Sequence, residues 1–167
     1  DGFAVLKRAA SFAPSEDEVL DALTAEPQAQ DKLGELDHHH AHLVEEALDS
    51  QTAAGLLRRR GELLEGAFGR HEDAAEVWSR LSTVTSGSPE ARGRLRQALR
   101  AAGKHQDLLV TLQSDLRGEE DPAQKLELRR EVARVWDAAL QNRWEALEAW
   151  QKVLREAPGD PEATAAI

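Results

Sequence analysis

The chain has 167 residues, enough for one ordinary domain with a real core, and alanine, leucine, glutamate and arginine dominate it, while isoleucine occurs once and tyrosine never. β-Branched and aromatic residues are too sparse for a sheet, there is no cysteine for a disulfide or a thiolate metal site, and no apolar run approaches the length of a membrane-spanning helix. The net charge of −10 is uneven: residues 1–52 hold 12 acidic and 3 basic side chains, against 19 and 18 in the remainder, which argues against a general nucleic-acid binder.

Turn signals cut the chain into helices. The breaks are Pro27, Gly103, Gly118 and the Pro-containing stretches at 13–15, 86–89, 121–122 and 157–161. Ser15, Ser88, Asp121 and Asp160 each precede Pro or Glu and are expected N-caps. The expected helices run over 2–13, 16–26, 29–49, 52–68, 71–85, 89–102, 105–117, 122–141 and 143–157, with a stub from 161. Apolar residues recur at spacings of three and four: Leu56, Leu63, Leu64 and Ala67 on one helix, and Ala74, Val77, Trp78 and Leu81 on the next. Leu126, Val132, Val135, Trp136 and Leu140 repeat the pattern, as do Ala146, Trp150, Val153 and Leu154. Connections of a few residues predict antiparallel hairpins over 16–49, 52–85, 89–117 and 122–157.

These helices recur with a period of 72 residues. Ala74-Ala75-Glu76-Val77-Trp78 matches Ala146-Leu147-Glu148-Ala149-Trp150, and Gly87-Ser88-Pro89-Glu90-Ala91 matches Gly159-Asp160-Pro161-Glu162-Ala163. A further step back places Leu6 under Trp78, Pro14 under Ser86 and Glu18 under Glu90. Two hairpins fill one period.

At Ala146, Trp150 and Pro158 the chain resembles the second helix of the tetratricopeptide repeat family: a small residue, a large aromatic four positions on, and Pro eight after that. Ala74 and Trp78 match, with Ser86 in the Pro place, and Leu108 and Leu112 take these positions in the short hairpin that follows Gly103. In the first helix Gly61 and Leu64 stand where the family has Gly and Tyr, as do Ala133 and Trp136, but the following turns are one residue longer than the family's. The resemblance covers 52–163 clearly and 1–51 weakly. It implies an all-α fold, an α-hairpin solenoid of antiparallel helix pairs acting by presenting a surface. Residues 2–13 read as a second helix without its first, and 161–167 as the opening of another repeat, so 1–167 is expected to be one array cut from a longer one. Asp1 opens neither on Met nor on a signal peptide, and the compartment stays open between cytoplasm and periplasm.

The arginines are the first candidate site. Arg58, Arg59 and Arg60, then Arg92, Arg94, Arg96 and Arg100, then Arg129, Arg130 and Arg134 fall in three helices. The resemblance stacks these along a concave wall, with Arg58 and Arg130 at one groove-facing position and Arg94, Arg100 and Arg134 as further groove candidates. Guanidinium groups pair bidentately with carboxylates, so such a wall suits an acidic peptide or protein segment. The family's carboxylate clamp pairs Lys with Asn at these places, and the Asn residues are missing. The competing reading pairs the arginines within the chain, with Glu62, Glu65, Glu127 and Glu131.

A second candidate is Asp37-His38-His39-His40-Ala41-His42. One helix through it turns His40 to the core and puts His38 and His42 on another face with Glu35 and Glu45, an i,i+4 pair able to hold a divalent metal or to sense pH. The metalloprotease helix needs Glu directly after the first His, and His39 stands there. Third, Asp17, Glu18, Asp21, Glu26 and Asp31 could receive a basic segment of a partner or a neighbouring copy. Trp78, Trp150 and Trp136 are expected to pack the core, whereas Trp144, opening a helix, is expected to be partly exposed and to belong to an interface.

No phosphate-binding glycine loop and no cysteine nucleophile are present. The function expected is a non-catalytic protein-interaction scaffold without cofactor, with a structural spacer between flanking repeats, or a metal- or pH-responsive module on His38 and His42, as alternatives.

Overall fold

The structure, a computed structural model, describes residues 2–12, 18, 21–22 and 33–167. The expected breaks at Pro14 and Pro27 and the cap at Ser15 lie outside these residues, as do Asp17, Glu26 and Asp31. The described elements are helical: α1 (Gly2–Phe12), α2 (Leu33–Glu46), α3 (Ser50–Gly66), α4 (His71–Val84), α5 (Pro89–Ala101), α6 (His105–Gly118), α7 (Pro122–Arg134), α8 (Arg143–Glu156) and α9 (Pro161–Ala166), with a π-helical turn Val135–Ala139 prolonging α7. None is long and apolar enough to cross a membrane.

The chain divides into two compact units, Asp1–Ala102 and Gly103–Ile167. In the first, α3 packs on α2 and α4, and α4 on α5; in the second, α7 packs on α6 and α8, and α8 on α9. Short links between packed neighbours make these antiparallel hairpins.

Local chemistry sets the boundaries. Ser88 Oγ, Asp121 Oδ1 and Asp160 Oδ1 accept from Ala91 N (3.2 Å), Ala123 N (3.1 Å) and Ala163 N (2.8 Å), each ahead of a Pro in the first turn. Two further caps escape the sequence reading. Asp49 accepts from Thr52 N at 2.8 Å, which starts α3 at Ser50, two residues earlier than expected, and Asn142 accepts from Glu145 N at 3.3 Å. Gly69 and Gln141, 72 residues apart, both take left-handed φ, 62° and 52°.

Before these turns both first helices widen in the same way. Phe68 N donates to Leu63 O and Arg70 N to Leu64 O; 72 residues on, Leu140 N donates to Val135 O and Asn142 N to Trp136 O. Bonds spanning five and six residues wind an extra residue into the last turn, which is how a turn one residue longer is absorbed. The helix expected to run to 141 therefore changes pitch after Arg134. Ala67, expected on the apolar stripe, is exposed, because α3 ends at Gly66 and Ala67 is its C-cap.

The core of the first unit gathers Leu56, Leu57, Leu64, Ala74, Trp78, Leu81, Ala91 and Ala98, all nearly inaccessible. In the second, Ala133, Ala146, Ala149, Trp150, Val153 and Ala163 form one cluster, with Leu126, Val132, Trp136 and Leu154 half-buried against it. Burial of these side chains stabilises by roughly 25 cal/mol per Å² of apolar surface.

Candidate functional site

Trp78, on α4, lies flat against the backbone of α3 at Gly61. A Cβ on Gly61 would come within 2.6 Å of Trp78 Cζ2, so the glycine is a steric requirement of the indole. Trp78 Nε1 donates to Glu65 Oε1 at 3.0 Å. The other oxygen of Glu65 accepts from Arg94 Nη1 at 3.3 Å, and the Arg94 guanidinium stands 5.3 Å from the indole centroid. One carboxylate thus joins an indole N–H to the cation that covers the ring. Glu62 adds a longer contact to Arg94 at 3.7 Å. Glu62, Glu65, His71, Arg94 and Gln97 border a shallow cleft of about 340 Å³ here.

The same register in the second unit is filled differently. Trp150 is 2% exposed, and Ala133, at the Gly61 position, packs in its cluster. Asp137 occupies the Glu65 position, one methylene shorter, and Ala166 the Arg94 position. Trp150 Nε1 is buried with no hydrogen-bond partner. A cleft of about 440 Å³ opens beside it, lined by Asp137, Arg143, Trp144, Leu147, Ala166 and Ile167 among others. Trp144 is 83% exposed.

The arginines expected to face a groove are engaged within the chain. Arg58 forks onto Glu90 (Nε–Oε1 2.9 Å, Nη2–Oε2 3.1 Å). Arg134 forks onto Glu162 (2.7 and 2.6 Å) and also reaches Glu127 at 2.9 Å. Arg130 pairs with Asp160 at 2.8 Å and with Glu127 at 2.8 Å. Arg129 reaches Glu156 at 2.8 Å. Arg100 is exposed in the last turn of α5, where a cation suits the helix dipole. Each unit therefore uses arginine to tie the first helix of a hairpin to the opening turn of the helix after it, α3 to α5 and α7 to α9. These pairs hold the carboxyls of Glu90, Glu127 and Glu162 below the usual range, chiefly through arginine hydrogen bonds. Asp160 is held down first by the Ala163 amide and then by Arg130.

Among the described residues of the acidic first third, several carboxylates are also paired with cations of the chain. Glu35 meets Lys7, Asp21 meets Arg59, and Glu45 meets Arg80 at 2.5 Å. Asp37 is nearly buried and holds Arg60 at 2.6 Å and Arg70 at 3.3 Å. Glu18 is exposed.

The histidines separate by face as the helical spacing requires. His38 and His42 are exposed, and His42 lies 3.5 Å from Glu46. His40 is buried, with Nδ1 3.0 Å from Leu36 O. His39 is buried as well, which the sequence reading left unassigned. Desolvation, reinforced by His40, lowers His39 to about 4, and burial lowers His40. Among the described residues no three His, Asp or Glu side chains gather as a metal-binding group.

No protein-family model and no curated protein matches the chain. Among solved structures, the chain is similar to a thermophilic TPR (tetratricopeptide repeat) protein of Thermus thermophilus, with 21% identity, 98% of this chain and 85% of that one covered, and a TM-score of 0.46. At that score the likeness is loose, and the all-α hairpin fold rests on the helices and packing described above.

Proposed function

We propose that the chain is a non-catalytic scaffold segment that binds another protein. The observation that carries this reading is Trp144. It is a large indole 83% exposed at the opening of α8, beside a cleft, in a chain that buries Trp78 and Trp150. An exposed indole next to a cleft is the kind of anchor that interfaces concentrate their binding energy on.

The finer reading is an acidic partner segment met by Arg58, Arg94 and Arg100 in the first unit and by Arg130 and Arg134 in the second. It requires partner carboxylates to exchange with Glu90, Glu127 and Glu162, with Glu62 and Glu65 at Arg94, and to share Arg130 with Asp160. That exchange is open to solvent, because the Arg58–Glu90 and Arg134–Glu162 side chains are each 40% to 54% accessible, and exposed pairs of this kind are worth about 0–1 kcal/mol. Flanking repeats would be the other protein surface in contact.

With a protein that binds the wild-type chain, Arg58→Ala, Arg94→Ala and Arg130→Ala together should weaken binding at unchanged helicity, and Trp144→Ala should weaken it separately. Unchanged affinity in the triple variant would remove the arginine reading. Unchanged affinity in both would put the contact elsewhere on the chain, and a chain that captures no protein would leave a spacer between repeats as the better account.

A further inference from the structure

α2 carries two buried histidines in a row, and they face different neighbours. His39 meets α1, where one of its ring nitrogens bonds to the Lys7 backbone carbonyl. His40 keeps Nδ1 3.0 Å from Leu36 O within α2 and feels Arg59 and Arg60 of α3. Nε2 of each ring is buried with no hydrogen-bond partner. A proton added there would point at no acceptor, and a buried donor left unpaired is costly. The nearby carboxylates are already engaged: Glu35 by Lys7, and Asp37 by Arg60 and Arg70. The other charges that face His39 among the described residues are Lys7 of α1 and His40 and His42 of α2, each a cation or a group that becomes one in acid.

We propose that His39 is a pH-sensitive lock between α1 and α2: the neutral imidazole holds α1 in place, and mild acid releases α1 while α3, α4 and α5 stay folded. The proton enters once α1 has lifted and Nε2 meets water. In the docked state burial, reinforced by His40 and then Lys7, lowers His39 from the ordinary 6.5 to about 4. Above about pH 6.5 the docked and released states both carry a neutral ring, and the lock is at full strength. Between 6.5 and 4 only the released state takes the proton, so each step down in pH favours release. At pH 5 the release equilibrium should stand about thirtyfold above its value at pH 7.5. α1 is the element that yields. Its described polar ties to α2 are His39 and the part-accessible Lys7–Glu35 pair, whereas the nearly buried Asp37 binds α2 to Arg60 of α3. His38 and His42 are exposed and already hydrated, so they stand outside the lock. The lock goes beyond the scaffold reading and does not depend on what the scaffold binds.

Hydrogen exchange of the full chain, read by mass spectrometry at pH 7.5 and pH 5 with a chelator present and corrected for intrinsic rates, tests the lock. Protection over residues 2–12 should fall about thirtyfold at pH 5, with α4 and α5 keeping theirs. His39→Gln keeps a donor for the Lys7 carbonyl and cannot titrate, so its α1 should be equally protected at both pH values. Should that variant fail to dock α1, Lys7→Gln carries the test: it frees Glu35 to receive a protonated His39, and the fall should shrink to less than about tenfold. His38→Gln with His42→Gln should leave most of the fall in place. Unchanged protection of α1 between the two pH values, the same fall in His39→Gln, a fall abolished by the His38 and His42 changes, or loss of α4 and α5 together with α1 would overturn the proposal.

Discussion

The units around Trp78 and Trp150 share a register and close it by different means. The first closes its tryptophan with a glycine beneath, a glutamate at the indole N–H and an arginine above. The second puts alanine beneath, an aspartate at the side and alanine above, and leaves the N–H unpaired. The ion pairs shift as well: Glu90 is held by Arg58, whereas Glu162 is held by Arg134, one helical turn further along, and Arg130 turns to the cap Asp160. A repeat thus keeps its apolar layer and its tie between successive hairpins while the polar groups making that tie migrate along the helix. Packing fixes the register, and electrostatics has several equivalent ways to satisfy it.

The largest expected asymmetry is at Gly61. Gly61→Ala forces a methyl group into the Trp78 indole, an overpacking that should cost about 1–3 kcal/mol in urea unfolding. Its mirror, Ala133→Gly, should cost about 1 kcal/mol, the usual penalty of glycine in a helix. Equal effects would show that the two tryptophans do not lie against their helices differently.

Capping comes next. Ser88→Ala should cost about 1 kcal/mol. Asp160→Ala should cost more, because it strips Arg130 of a partner as well as α9 of its cap. A smaller loss at Asp160 would mean that Arg130 does not tie α7 to α9.

Gln141 and Gly69 share a left-handed backbone, so Gln141→Gly should stabilise by about 1 kcal/mol, and Gly69→Ala should destabilise by a similar amount. The comparison fails if both changes move the melting temperature in the same direction.

Acid should act on the first unit earlier than on the second. His39 is held near 4 and His40 is lowered by burial, so the unfolded chain takes up protons that the folded one refuses. Stability therefore falls as pH drops from about 6.5 towards 4. The depressed carboxyls of Glu90, Glu127 and Glu162 contribute stability that is lost only below the ordinary carboxylate range, as pH falls through their folded values. Tryptophan and amide probes of each unit followed against pH would expose the order, and simultaneous loss would contradict it.

The helices, the caps at Ser88, Asp121 and Asp160 and the burial of Trp78 and Trp150 were legible because each depends on near neighbours in sequence and on a strict period. The partners of the arginines were only half legible. Glu62, Glu65 and Glu127 are close enough in the chain to be suspected, but Arg58–Glu90 and Arg134–Glu162 join residues 32 and 28 apart, which helical spacing cannot rank. His39 was missed because the i,i+3,i+4 stripe of α2 admits either of two adjacent histidines, and its neighbour Lys7 of α1 lies far off in sequence. The different polar closure at Trp150 is legible only by subtraction, when Ala166 is laid on Arg94 and Asp137 on Glu65.

That subtraction can be reversed. Asp137→Glu and Ala166→Arg, made singly and together, would rebuild the first unit's closure on the second. A double-mutant cycle in urea should give a favourable coupling of about 0.5–1 kcal/mol, with the Trp150 indole N–H shifted towards the position of Trp78. Additive single effects and an unmoved Trp150 signal would contradict the shared register on which the account stands.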